Sequence, residues 1–275
     1  MAEGTGTRAS AFDEFAPTYD ADFSGTTTGI WLREAVWSAL EPFVKAGMSV
    51  LDLGCGTGED AMWFARNGCE VTAADGSPAM LEQVAAKAAR LHLTQHVETI
   101  RIDLNALEAA PPGLPFDLVL SNFGAINCID DLVSFGRRLE NWVKPDGVVA
   151  LVFMGRFCAW ESAYYLARFD RSAARRWTGR ATAAVGSRRV TVRYWSKNDI
   201  VRALGPSFLV LAVRGIGTFL PPSYLFHWVD RRPRLSRTLA RWERCAAHQW
   251  PLSRMADHMA VILRRRDTPA RRSQA

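Results

Sequence analysis

The sequence has no run of 18 consecutive apolar residues, the length a helix needs to cross the hydrocarbon layer of a bilayer. A membrane-spanning helix is therefore not expected. The first residues, MAEGTGTRASAFDEF, carry neither a basic n-region nor an apolar h-region, which argues against a secretory signal. The five cysteines (Cys55, Cys69, Cys128, Cys158, Cys245) form no CxxC pair. Their odd number does not fit a disulfide framework, and a reducing cytoplasm is the expected setting. Histidine is scarce. His92 and His96 stand four apart on an expected helix, but no acidic or cysteine ligand joins them in a metal motif. A solvated face is expected there, and no metal site. A GxxxxGK[ST] loop is also missing, so phosphoryl transfer is not expected.

Charge is present but segregated. Residues 1–150 hold 10 Lys+Arg against 21 Asp+Glu, a net of −11. Residues 151–275 hold 24 against 7, a net of +17, and the two halves sum to the overall +6. A shift of this size marks two regions with different partners, or an arginine-rich solvated face. With 48% apolar and 23% charged residues, the chain suits one large globular domain or a core with a sizeable insertion.

Strand and helix patterns alternate from about residue 48 to 155. MSVLDLG, EVTAADG, VETIRIDL, FDLVLSNFG and the end of KPDGVVALVFMG read as strands. EDAMWFARNG, SPAMLEQVAAKAARLHL and DDLVSFGRRLENWV read as helices, the second with Ser77 as cap and Pro78 at its first position. Upstream, GIWLREAVWSALEPF (29–43) has apolar residues at helical spacing. This alternation predicts βαβ units in a doubly wound, mostly parallel seven-stranded sheet. Ligands of such sheets bind outside the carboxyl ends of the strands. Residues 156–195 read as a helix, a linker and a short strand. SKNDIVRALGPSF then resumes the helical pattern and FLVLAVRGIG supplies a sixth strand. Residues 221–250 read as helical with turns, and DHMAVILRRR is a seventh strand.

The expected organisation is a helical segment closing the pocket (1–45), a cofactor-binding core (46–155), a cap insertion (156–195), more core (196–217), a second cap insertion (218–255), and a last strand with a basic tail (256–275). Both helical caps follow strands, five and six, whose ends face the ligand side.

The sharpest motif is Gly54-Cys55-Gly56-Thr57-Gly58, preceded by Asp52. A dinucleotide-binding turn reads GxGxxG, but Glu59 stands where its last glycine would fall, and Asp60 follows. Acidic groups there would repel a pyrophosphate at a helix N-terminus. The ligand near this turn should be neutral or cationic. Asp75 closes the second strand, where a carboxylate can accept two hydrogen bonds from a ribose diol. Asp103 closes the third, where a carboxylate can meet an adenine amino group. A nucleoside bearing a sulfonium cation and an amino acid meets all of these conditions.

VLDLGCGTGEDAMWFA, VTAADGSPAML, IRIDLNAL and FDLVLSNFGAIN resemble the successive motifs of class I S-adenosylmethionine-dependent methyltransferases. FAPTYDADF resembles the N-terminal segment of their small-molecule branch. The resemblance covers about residues 12–155 and returns at the last two strands. It implies S-adenosyl-L-methionine as cofactor. It lays the methionine end against Asp52, Gly54, Cys55, Gly56 and Gly58, and the ribose on Asp75. It places the adenine between Gly76, with Ser77 beside it, and Met80, with its amine at Asp103 and Leu104. Ser121, Asn122 and Phe123 would line the methyl side. Tyr19 would close the pocket, and Arg33 would meet the cofactor carboxylate or stand as a solvated helix arginine.

Methyl transfer is an in-line displacement, and alignment of donor and acceptor supplies much of the catalysis. A base is required only where the acceptor must lose a proton early. Glu161, Tyr224 and His227 follow strands five and six and are the candidate catalytic residues. Packing is the competing reading of His227, and pairing with Arg156 or Arg168 that of Glu161. His258 reads as structural.

Six of the ten tryptophans fall after residue 150. Such aromatics suit a small hydrophobic or planar acceptor. Two alternatives stay open. Basic residues with stacking aromatics could hold unpaired RNA bases, although SNFG replaces the (N/D)PP(Y/F) signature of methyltransferases that act on base amino groups, and no recognisable RNA-binding motif is present. Residues 232–250 could also lie in an anionic membrane surface as a basic amphipathic helix, with Leu235, Leu239, Trp242 and Ala246 on its apolar stripe; such a lipid or quinone methyltransferase would touch the membrane peripherally. A cap helix packed on the core is the preferred reading of that segment. A cofactor-binding protein without transfer is the non-enzymatic alternative.

Overall fold

The computed structural model describes residues 10–106, 111–185, 187–222, 225, 229 and 231–267. Seven strands make the main sheet: β1 (Ser49–Leu53), β2 (Glu70–Asp75), β3 (Val97–Arg101), β4 (Phe116–Ser121), β5 (Val143–Met154), β8 (Phe208–Ile216) and β9 (His258–Arg265). Their order is β3-β2-β1-β4-β5-β9-β8. β1 to β5 pair in parallel, and β9 runs antiparallel between β5 and β8. The expected doubly wound, mostly parallel seven-stranded sheet is therefore observed.

The central strands are apolar on both faces because helices cover both. Alternate residues of β1 feed different cores. Val50 packs with Leu32, Val36, Phe64 and Val84 from α2 (Thr27–Leu40), α3 (Glu59–Arg66) and α4 (Pro78–Arg90). Leu51 and Leu53 pack with Phe135, Leu139 and Ile200 from α5 (Leu132–Trp142) and α7 (Lys197–Leu204). Four of the helices, α2, α4, α5 and α7, begin where a side chain satisfies a free backbone N–H. Thr26 accepts from Gly29 N (3.0 Å), Ser77 from Met80 N (3.2 Å), and Asp131 from Val133 N and Ser134 N (3.0 Å each). Ser196 and Asp199 form a reciprocal capping box on α7.

Two segments depart from the sequence-based expectation. Residues 156–195 hold α6 (Ala159–Leu166), a 3₁₀ helix (Arg171–Thr178) and a hairpin of β6 (Arg180–Val185) with β7 (Arg188–Arg193). One short strand was expected, not two. β6 reads RATAAV, and its alanines carry little strand preference of their own. Pairing with β7 makes it a strand.

The second departure is in α8 (Pro233–Ala246). Its buried face is Ser236, Leu239, Ala240 and Glu243, while Trp242 of the expected apolar stripe is 52% exposed. The face is rotated by a charge. The Glu243 carboxylate accepts from the backbone N–H groups of Gly217 (2.7 Å), Thr218 (3.3 Å), Phe219 (2.8 Å) and Leu220 (3.4 Å). Four donors aimed at one buried carboxylate outweigh the placement of one indole. Leu239 and Ala240 join the core of α2. Among the described residues, no helix is long and apolar enough to cross a membrane.

Candidate active site

The carboxyl ends of β1, β2 and β4 converge on one cleft, the place where ligands of such sheets bind. The glycine turn forms its floor. Gly54 N and Cys55 N both donate to the Ala74 carbonyl at the end of β2 (2.7 and 3.0 Å). Gly54 has φ +69°, and a Cβ there would sit 2.3 Å from Ala125 Cβ. Gly56, at φ +53°, presents backbone to the cleft beside Tyr19. Only residues without a Cβ let the chain approach a ligand this closely.

Ten of the sequence-predicted cofactor residues line the cleft. Tyr19, Gly54, Gly56, Asp75 and Gly76 lie toward the glycine turn, Met80, Asp103 and Leu104 toward the third strand, and Asn122 and Phe123 after the fourth. Phe12, Ile102, Asn105, Gly124, Ala125 and Cys128 line it as well. Their signal was positional. Ile102 and Asn105 flank Asp103 at a strand end, and Gly124 to Cys128 form the turn that follows β4. Asn105 latches these two loops together, donating to Cys128 O (3.0 Å) and accepting from Asp130 N (2.8 Å).

Asp75 accepts from Gly56 N (3.0 Å) and Ser77 N (2.9 Å). Burial raises its carboxyl above the usual range, and these backbone N–H bonds oppose the rise. Phe123 has φ +45°, an uncommon conformation for a bulky residue. Asn122 Oδ1 accepts from Phe123 N (2.8 Å) and holds it. Strain of this kind costs about 1–3 kcal/mol and clusters at functional sites.

The remaining predicted cofactor residues stand behind the wall. Ser121 Oγ donates to Leu53 O (2.9 Å), and Cys55 is buried. Ser77 caps α4 and donates to Asp13 (2.5 Å). Gly58 lies against Val84. Arg33 is buried and pairs with Asp60 (2.6 Å), with its guanidinium 5.0 Å from the Phe123 ring centroid. A solvated Arg33 is thus ruled out.

The charge argument from the sequence needs a correction. Glu59 is neutralised by Lys87 (2.5 Å), which also meets Asp20 (2.8 Å). Asp60 accepts from Arg33, from Trp37 Nε1 (2.7 Å) and from Asn122 Nδ2 (2.9 Å). Neither acid has a bare charge to repel a phosphate. Asp52 is 1% exposed, and among the described residues both of its oxygens lack a hydrogen-bond partner. Burial first, then the charges of Asp60 and Asp75, push its carboxyl well above the usual range. Arg33 Nε is also buried without a partner. A ligand ammonium and carboxylate are the groups these atoms lack. The residues present therefore offer the buried acceptor and donor groups that an S-adenosylmethionine molecule would need.

Glu161 is 2% exposed and does not line the cleft. It pairs with Arg175 (2.8 Å) and Arg176 (2.9 Å); of the partners expected, Arg156 instead meets Asp199 and Arg168 meets Tyr164. A base must reach the acceptor, and this carboxylate is enclosed by two guanidinium groups. Tyr224 and His227 lie outside the described residues.

A family model described as a methyltransferase domain matches residues 50–147. Among curated proteins, the chain is 39% identical over 101 residues to a malonyl-[acyl-carrier protein] O-methyltransferase of Enterobacter lignolyticus, covering 37% of each chain. It is 32% identical over 152 residues to a 2-phytyl-1,4-naphtoquinone methyltransferase of Synechococcus elongatus, covering 53% of this chain and 62% of that one. The matches thus span between about a third and three-fifths of these relatives' lengths. Among solved structures, an S-adenosylmethionine-dependent methyltransferase from Mesorhizobium loti aligns with a TM-score of 0.54 at 20% identity, over 84% of this chain and 98% of that chain. A [4+2]-cyclase, SpnF, shares the fold with a TM-score of 0.60 at 14% identity, over 93% and 94% of the two chains. Residues 50–147, from the glycine turn past the acidic strand ends, thus match a methyltransferase domain, and the sheet shares its fold with a solved S-adenosylmethionine-dependent methyltransferase.

Proposed function

We propose that the protein transfers a methyl group from S-adenosylmethionine to a small hydrophobic or aromatic acceptor by in-line displacement. The observation that carries this reading is the buried Asp52 carboxyl, without a hydrogen-bond partner among the described residues, next to the glycine turn that floors a largely apolar cleft. A ligand cation would satisfy this carboxyl and favour its ionised form. When bound, the cofactor supplies an electrophilic methyl on a positively charged sulfur. Asp52 holds the ammonium end, Asp75 the ribose, and Asp103 the adenine edge. The strained Phe123, with Phe23 packed edge-on at 5.2 Å, excludes water on the methyl side. The residues after β5 and β8 shape the acceptor pocket, as their position after ligand-side strand ends suggests.

The two curated relatives are named for malonyl-[acyl-carrier protein] and 2-phytyl-1,4-naphtoquinone. An acceptor like the second, planar and apolar, fits an apolar pocket better than a polynucleotide groove. The test is transfer of labelled methyl from S-adenosylmethionine to a panel of 1,4-naphthohydroquinone, a catechol and a malonyl thioester, with total RNA and anionic vesicles beside them. Label in an organic-extractable product is expected. Label in RNA alone, or no affinity for S-adenosylhomocysteine, overturns the proposal.

A further inference from the structure

Five of the eight exposed large apolar side chains among the described residues lie on the two insertions after β5 and β8: Leu166, Phe169 and Trp177 on the first, Trp242 and Trp250 on the second. β8 runs the same way as β5, because β9 between them is antiparallel to both. Both insertions therefore leave the sheet from its carboxyl edge. α6 carries the first one outward. Trp160, in its first turn, packs against the core under α2, and Glu161 is buried. Leu166, at its far end, is 65% exposed.

The chain then ends α6 in an unusual way. Phe169 N donates to Leu166 O (3.0 Å) and Asp170 N to Tyr165 O (2.9 Å), with Phe169 at φ +54°. These are the bonds of a Schellman ending, whose left-handed position is usually glycine. A phenylalanine there carries a steric penalty, and it gains almost no packing within the chain in return, since it is 98% exposed. Trp177 adds an exposed indole from the 3₁₀ helix that Arg175 and Arg176 tie to Glu161. Arg168 and Arg171 stand on either side of Phe169, both exposed. Residues 156–195 hold nine arginines against two acids, a net of +7, and residues 218–255 hold seven against two, a net of +5. Of those acids, Glu161 and Glu243 are buried, and Asp170 accepts from Ser172 N (2.8 Å).

We propose that the first insertion docks on a membrane surface rich in anionic lipid, with Leu166, Phe169 and Trp177 entering the headgroup boundary and the surrounding arginines meeting lipid phosphates. Aromatic side chains favour that boundary, and basic residues are drawn to an anionic leaflet. An acidic protein surface would answer the arginines but give Phe169 no apolar seat. Unpaired RNA bases would stack on the rings, but the aliphatic Leu166 offers them no stacking face. A bilayer with anionic headgroups satisfies both the charge and the apolar tip. The anchor is the end of α6 and not the helix of residues 232–250, whose Leu239 is committed to the core. Docked in this way, the protein turns the carboxyl edge of its sheet toward the lipid. The inference concerns binding, goes beyond the methyl-transfer reading and stands without it.

Co-sedimentation of the full chain with vesicles tests this without turnover. Vesicles of equal parts phosphatidylglycerol and phosphatidylcholine should bind the protein, and pure phosphatidylcholine should bind it at least roughly tenfold more weakly. Raised salt should release it, because exposed charges are screened. Phe169→Gly should have two opposite effects. It removes the left-handed penalty, so the urea midpoint should hold or rise. It also removes the anchor, so affinity for the anionic vesicles should fall roughly 10- to 100-fold, the worth of burying one such side chain. A phenylalanine that served only the fold would lower the urea midpoint when replaced and leave vesicle affinity alone. Brominated phosphatidylglycerol should quench the tryptophan fluorescence of the wild type more than that of Trp177→Phe. Equal binding to both vesicles, binding to neither, full affinity in Phe169→Gly, or equal quenching in Trp177→Phe overturns the proposal. So does total RNA that strips the protein from the vesicles, which would assign the face to nucleic acid, or a dimer that Phe169→Gly dissociates, which would assign it to a second copy of the chain.

Discussion

Replacing Gly54 by alanine should do far more damage than the same change two residues on, at Gly56. At Gly54 the backbone is left-handed, and a new Cβ would lie 2.3 Å from Ala125 Cβ. Carbon atoms in contact sit about 3.5–4.0 Å apart, so the turn after β4 must retreat by more than 1 Å. The left-handed conformation costs roughly 1–2 kcal/mol for a residue with a side chain, and overpacking adds about 1–3 kcal/mol. At Gly56 the conformational cost is similar, but the nearest atom to a Cβ is Tyr19 Cε1 at 3.9 Å, an ordinary contact. Gly54→Ala should therefore be the less stable of the two by roughly 1–3 kcal/mol, the overpacking part alone. Urea unfolding of both variants, followed by tryptophan fluorescence, reads the difference. Adding S-adenosylhomocysteine should rescue Gly54→Ala less than the wild type, because the displaced turn carries Ala125 and Cys128 of the cleft. Equal midpoints for the two alanine variants would refute the packing of the glycine turn described above.

Asp75→Asn should weaken S-adenosylhomocysteine binding by about 1.5–3 kcal/mol, the range for hydrogen bonds to a charged group; unaltered affinity by calorimetry would remove the ribose from Asp75. Burial and its acidic neighbours raise the Asp52 carboxyl well above the usual range, and a bound ammonium favours its ionised form. Cofactor binding should therefore release a proton at pH values below that raised pKa, and affinity should climb with pH across the same interval. Calorimetry in two buffers of unlike ionisation enthalpy measures this, and no release at any pH would contradict the placement. Arg176→Met removes the guanidinium that pairs with buried Asp257 and leaves Glu161 with Arg175 alone, and should cost roughly 3–5 kcal/mol in urea unfolding. Asp257 is held below the usual carboxylate range, chiefly by His258 and Arg176 against the cost of burial. Its stabilising contribution is full above the ordinary carboxylate pKa of about 3.9 and is lost as pH falls below that toward the depressed value. An acid-unfolding midpoint that is the same in Asp257→Asn and the wild type would refute it.

The sequence by itself determined the sheet class and the cofactor end of the site. Strand and helix periods differ, so their alternation marks βαβ units, and such units place ligands at strand carboxyl ends. Gly54, Asp75 and Asp103 are local consequences of that rule, since each stands within a residue or two of a strand end. Tertiary structure decided what depends on partners far apart in the chain. The charges of Glu59 and Asp60 looked free because Lys87 and Arg33 are 28 and 27 residues away. Asp52 emerged as the unpaired acid only once every neighbour could be checked for a hydrogen bond. Glu161 looked like a pocket carboxylate among aromatics until two arginines of the next helix closed on it. Glu243 turned the buried face of α8 because four backbone N–H groups of a distant loop converge on it. His258 lies more than a hundred residues from Phe123, and an antiparallel last strand carries it back against that ring. Periodicity reports which face of an element is buried; it carries no information on which charges meet there, because that pairing is made by the closing of the whole sheet.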